Sequence, residues 1–171
     1  RWAIDHAETV RDDELRRIKA LGGGIAIQNR LAFAGEYFVA RYGTEAARYA
    51  PPIRKMLQMG IPVGAGTDGT RVSSYNPWPS LYWLVSGKTV GGMQLFADEN
   101  RLSREEALKL FTVGSAWFSQ EETVKGRIAP GQFADFAILS EDYFSVPEER
   151  IKSIEAVLTV VGGQVVYAAN P

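Results

Sequence analysis

The spacing of apolar residues changes register repeatedly over the first seventy positions. Trp2-Ala3-Ile4 is a short apolar run leading directly into Asp5-His6-Ala7-Glu8. From Asp12 to Leu21 the pattern becomes helical: Leu15, Ile18 and Leu21 recur three residues apart amid charged neighbours, which predicts one inward face. Gly22-Gly23-Gly24 stops that helix, because glycine accepts the positive φ of a helix C-terminal turn. Ile25-Ala26-Ile27-Gln28 is unbroken and short, the mark of a fully buried strand. The segment from Asn29 to Tyr49 reads as a loop. A second helix is predicted from Pro52 to Met59, with Ile53, Met56 and Leu57 inward and Gly60 as its stop. Pro62 to Asp68 then reads as a third strand ending on a carboxylate. Strand, helix, strand, helix, strand at this spacing predicts successive parallel βα units.

The pattern shifts further along. Pro77 to Val85 and Ser103 to Phe118 are predicted helical, and Ser103 with Glu106 three residues on forms a capping box. From Lys125 the predicted elements are short strands: Gly126-Arg127-Ile128, Ala134 to Leu139, Ile154 to Val161 and Gln164 to Tyr167. Gly162-Gly163 joins the last two as a hairpin turn. Helices give way to β-structure near Glu122 to Gly126, which predicts a division into 1–123 and 124–171. The expected fold class is α/β: the C-terminal part of a (β/α)₈ barrel, about three βα units, followed by a small β-rich extension.

Length supports a partial barrel, since 171 residues fall short of the roughly 250 of a complete one. Charge is nearly balanced, with 19 basic and 20 acidic residues and no basic block, so neither nucleic acid nor an anionic membrane surface is an expected partner. Cysteine is absent, which removes disulfides and a thiolate nucleophile. No apolar run approaches the roughly 18 residues of a membrane-spanning helix. A first residue of Arg1, directly before an apolar strand and with no signal-peptide pattern, predicts a cut in a longer protein and a cytoplasmic location.

Two residues stand out chemically. His6 is the only histidine and follows an apolar strand, where a barrel carries its active site. It reads either as a metal ligand, with its second nitrogen held by an acceptor, or as a histidine hydrogen-bonded at a strand end. Asp68 holds the equivalent place on the third strand, between glycines. It reads either as a metal ligand and general base or as a cap for the following turn. A catalytic zinc normally takes three protein ligands, more than these two. Gln28 ends the middle strand on the same rim, as a substrate contact or a polar strand cap. Arg30 and Lys88 are candidate anion contacts, and Asn76 and Trp78 lie in an aromatic stretch that either lines a pocket or packs beneath loops. The glycine clusters match neither a dinucleotide fingerprint nor a P-loop.

Four segments together resemble the amidohydrolase superfamily. Ile4-Asp5-His6-Ala7-Glu8 is similar to its sixth-strand segment, and Gly66-Thr67-Asp68 to its eighth. Glu105 to Glu122 is similar to the helix after the barrel, and Lys125-Gly126-Arg127-Ile128-Ala129-Pro130-Gly131-Gln132-Phe133-Ala134-Asp135 to the C-terminal signature. Gln28-Asn29-Arg30-Leu31-Ala32-Phe33 and Asn76-Pro77-Trp78 resemble the branch that includes N-substituted formamide deformylase-like, metal-dependent hydrolases. The resemblance implies His6 and Asp68 as metal ligands, with Asp68 also the catalytic proton acceptor and donor. Gln28, Arg30, Asn76 and Trp78 are the expected substrate contacts.

It further implies hydrolysis of a carbon–nitrogen, amide-like bond in a small molecule. One or two divalent ions take part, with zinc the expected metal. The paired histidines of the family's first strand and the ligands of its fourth and fifth would precede Arg1, as would the first half of a composite β-sandwich. The chain alone is therefore expected to be inactive and to act with the preceding part or as a homo-oligomer. The competing reading is a non-catalytic fragment or association module without a complete metal site.

Overall fold

The computed structural model describes residues 1–69 and 73–169. Its first sheet is parallel with the order β1 (Ala3–Asp5), β2 (Gly24–Gln28), β3 (Val63–Gly66). Ile4 pairs with Ile25, Ile25 with Val63, and Gln28 with Gly66, so all three strands end on one rim. Ile25 and Ile27 are fully buried, as an uninterrupted apolar strand requires. The first crossover helix, α1 (Asp12–Ala20), opens with Asp12, Asp13 and Glu14 and closes with Arg17 and Lys19, charges that complement the helix dipole. It buries Leu15 and Ile18, whereas Leu21, expected on the same face, is 68% exposed. Leu21 caps the helix with φ −88° and ψ 4°, so its side chain leaves the helical stripe.

The segment from Asn29 to Tyr49, expected as a loop, is helical: α2 (Arg30–Tyr42) and α3 (Thr44–Ala47). Leu31, Gly35, Phe38 and Tyr42 recur at helical spacing along it, and Leu31, Ala32 and Gly35 are buried. The helix α4 (Ile53–Gln58) returns the chain to β3, with Ile53 and Met56 fully buried. A polar clamp joins α4 to the next layer. Buried Asn100 accepts from the Arg54 backbone N–H at 3.2 Å and donates to the Pro51 carbonyl at 3.0 Å.

Downstream, α5 (Pro77–Ser86) is apolar almost all round and buries Tyr82, Trp83 and Leu84. A single core cluster joins these side chains to Tyr143, Ile151 and Ile154 from the C-terminal part. The expected long helix from Ser103 has three parts: α6 (Arg104–Lys109), a π-helical turn (Leu110–Gly114) and α7 (Ser115–Phe118). Its capping box is formed: the Glu106 N–H donates to Ser103 Oγ at 3.2 Å and the Ser103 N–H to Glu106 Oε2 at 2.8 Å. The turn lies against β3, where the Ser115 hydroxyl donates to the Ala65 carbonyl at 3.0 Å.

A second sheet is antiparallel, β4 (Phe136–Leu139), β5 (Ala156–Val161) and β6 (Gln164–Ala168). Gly162 and Gly163, at φ +58° and +78°, make the tight hairpin turn. Gly126-Arg127-Ile128, expected as a strand, is irregular. Gly126 has φ +94° and Ile128 is 89% exposed, so neither extended backbone nor burial is available there. No helix among the described residues is long and apolar enough to cross a membrane.

Candidate active site at the strand ends

His6 is the first residue past β1, and its N–H continues the ladder by donating to the Ala26 carbonyl at 2.8 Å. Asp68 lies two residues past β3. Both depart from the usual backbone, with φ +72° at His6, +52° at Ala7 and +50° at Asp68. Left-handed backbone at a non-glycine residue costs about 1 kcal/mol or more and concentrates at functional sites. A Cβ on Gly69 would stand 2.5 Å from the Tyr75 Cα, so the glycine after Asp68 permits a close backbone approach. Adjacent strands lie about 4.8 Å apart, which sets β1 and β3 roughly 10 Å apart across β2.

Several polar atoms at this rim are sealed from solvent and have no partner among the described residues. They are His6 Nδ1, Glu8 Oε1, Gln28 Oε1 and both amide atoms of Asn29, a residue with no exposed surface. A buried polar group without a hydrogen bond is costly, so their occurrence at the adjacent ends of β1 and β2 marks a place suited to a polar partner. His6 Nδ1 and Glu8 Oε1 are 4.0 Å apart, which leaves a carboxylate beside the imidazole nitrogen that faces inward. Sequence reasoning passed over Glu8 and Asn29. The signals for them were local: a carboxylate two residues after the histidine, and a second amide directly after Gln28.

The other expected contacts are dispersed. Arg30 is exposed at the start of α2 and lines a groove of about 400 Å³ with Glu8, Tyr37 and Arg41. Asn76 caps α5, its Oδ1 accepting from the Trp78 N–H at 3.0 Å. Trp78 is buried, 5.9 Å from the Tyr143 ring, and lines a separate cavity of about 750 Å³ with Leu108, Phe136 and Leu139. Lys88 lies 3.3 Å from the Glu149 carboxylate, which offsets its charge. Among the described residues, no three His, Cys, Asp or Glu side chains gather to hold a metal ion. His6 and Asp68 are donors of a suitable kind, imidazole and carboxylate, and fit part of a site that takes three protein ligands.

The model of the amidohydrolase family matches residues 1–167. The chain belongs to the amidohydrolase family. It is 26% identical over 166 residues to the N-substituted formamide deformylase of Arthrobacter pascens, a match covering 96% of this chain and 30% of that protein. An uncharacterized metal-dependent hydrolase from Pyrococcus horikoshii OT3 superposes with a TM-score of 0.72 at 28% identity, over 85% of this chain and 30% of that one. The atrazine chlorohydrolase TrzN of Arthrobacter aurescens TC1, solved with zinc, superposes with a TM-score of 0.68 at 25% identity, over 97% of this chain and 36% of that one. The chain thus spans about a third of the length of the relatives it matches. These matches show a mixed α/β amidohydrolase fold.

Proposed function

We propose that this chain contributes one wall of a metal-dependent active site that hydrolyses a carbon–nitrogen, amide-like bond of a small molecule. In this reading, residues 1–123 form the last three βα units of a (β/α)₈ barrel and 124–171 part of a β-sandwich. The remaining units come from chain outside this sequence or from an associated copy. The observation that carries the reading is that His6 and Asp68, both in left-handed backbone, follow strands that end on one rim of a parallel sheet. That is the rim on which barrels of this class carry their chemistry.

A divalent ion held at this rim, with zinc the candidate because TrzN was solved with it, would supply Lewis acidity and lower the pKa of a bound water toward neutrality. His6 would offer its outward nitrogen as a ligand, and the Glu8 carboxylate, 4.0 Å from Nδ1, stands where a small approach on metal binding would hydrogen-bond that nitrogen and fix the tautomer. Asp68, the exposed carboxylate, would be a second ligand and would accept the proton of the attacking water and return it to the leaving nitrogen. Gln28 and Arg30 meet the substrate at the rim. Asn76 and Trp78 act further out, by shaping the end of α5.

In the full-length protein, Asp68→Asn is expected to remove turnover by at least a hundredfold while leaving the circular dichroism unchanged. Normal turnover in that variant defeats the proposal. Metal stoichiometry of the 171-residue chain, by plasma mass spectrometry, addresses the competing reading. Near-stoichiometric zinc, manganese or iron favours a real site, and a metal-free chain favours a fragment whose chemistry needs the rest of the protein.

A further inference from the structure

The groove on α2 carries more charge than rim chemistry requires. Arg30, Ala34, Tyr37 and Arg41 fall three to four residues apart, which sets them on one stripe of the helix, and all four line the groove. Neither arginine has an ion-pair partner among the described residues. Their Cα atoms are separated by about 16 Å of axial rise, eleven residues along the helix. Arg30 lies at the end where α2 leaves β2, and the Glu8 carboxylate of the neighbouring strand end lines the same groove. Arg41 lies at the far end, 5.5 Å from the Tyr42 ring, and among the lining residues it has no carboxylate at its end. Between them Tyr37 is 81% exposed, an aromatic face with nothing on it. A guanidinium held against an aromatic ring, with its hydrogen-bonding edge free, is suited to bind a carboxylate by two parallel bonds.

We propose that this groove selects elongated substrates that carry a carboxylate. The carboxylate meets Arg41, an aryl or alkyl body lies along Ala34 and Tyr37, and the bond to be cleaved reaches the rim beside His6. This rests on the reading of the rim as the catalytic site, but the recognition itself needs neither metal nor turnover. It is therefore tested on the 171-residue chain in chelator-treated buffer at low salt, with 4-phenylbutanoate and its neutral counterpart 4-phenylbutanamide as probes. By heteronuclear NMR titration the carboxylate is expected to bind about five- to tenfold more tightly, because a partly exposed charged pair is screened by water. Arg41→Gln should abolish that preference, Tyr37→Ala should weaken both probes alike, and Arg16→Gln, on the exposed face of α1, should change nothing. Equal affinity for the two probes, binding of neither, or a preference that survives Arg41→Gln overturns the proposal. Failure of the Asp68→Asn test bears on the hydrolase reading and leaves this result untouched.

Discussion

Arg54 donates to both carboxylate oxygens of Glu106, at 2.5 and 3.0 Å, and to the Arg101 carbonyl at 2.6 Å. The guanidinium, aided by the Ser103 N–H, holds the Glu106 carboxyl down at about 2. An unfolded glutamate titrates near 4.3, so below that pH the unfolded chain binds the extra proton and stability falls with pH. The contribution is complete above about pH 5 and disappears as pH drops through about 2. Because the pair is partly exposed, its worth is discounted to about 1 kcal/mol. Glu106→Gln should therefore lower the urea midpoint at pH 7 and leave it unchanged at pH 2, measured on the same chain. At the rim, Glu8→Gln removes the carboxylate beside His6 and should weaken zinc binding by about tenfold in whichever assembly binds it, read by competition with a chromophoric chelator. Because His6 is the only histidine, the imidazole nitrogen spectrum reports its tautomer without assignment. A tautomer unchanged between Glu8→Gln and the parent would refute the positioning role.

At the scale of elements, the π-helical turn is where the sequence alone was least informative. Ser103 to Phe118 reads as one helix by periodicity, and nothing in that pattern marks an extra residue in the turn. The structural reason is a close approach: a Cβ on Gly114 would sit 2.5 Å from the Val63 carbonyl oxygen, a backbone atom that cannot yield cheaply. Gly114→Ala should cost about 2–3 kcal/mol, as overpacking against backbone does, despite alanine's better helix propensity. A melting temperature equal to or above that of the parent would show that β3 can move aside.

The same limit explains the other differences. Short strands and capped helices were legible because their signals are local: Ile25 to Gln28, the Ser103 box, the Gly162-Gly163 turn. The helix α2 was not, because aromatic residues and Gly35 made a helical stripe resemble a loop, and its burial is supplied by Leu95 and Thr89 from a distant segment. For the site, strand order and the family likeness brought His6, Gln28 and Asp68 to one rim. The Glu8 carboxylate and the buried Asn29 amide carried only weak local signals, and their unpartnered atoms singled them out once located in space.

Across the whole molecule, apolar surface is distributed unevenly. The parallel sheet and its helices enclose a core, yet Ile4 on the edge strand β1 and Trp2 just before it are each 40% exposed. The antiparallel sheet is barer: Ile138, Val161, Val165, Val166 and Tyr167 are all more than half exposed. Valine and isoleucine on an unprotected edge strand, without the lysines or prolines that usually guard one, favour pairing with another chain. Light scattering on the 171-residue chain should therefore report a mass above 18.8 kDa that rises with concentration. Placing charge on the outermost strand, as Val165→Lys with Val166→Lys, should restore the monomer mass without altering the circular dichroism of the rest. A monomer at every concentration would mean that the exposed valines are tolerated as they stand and that β6 needs no partner strand.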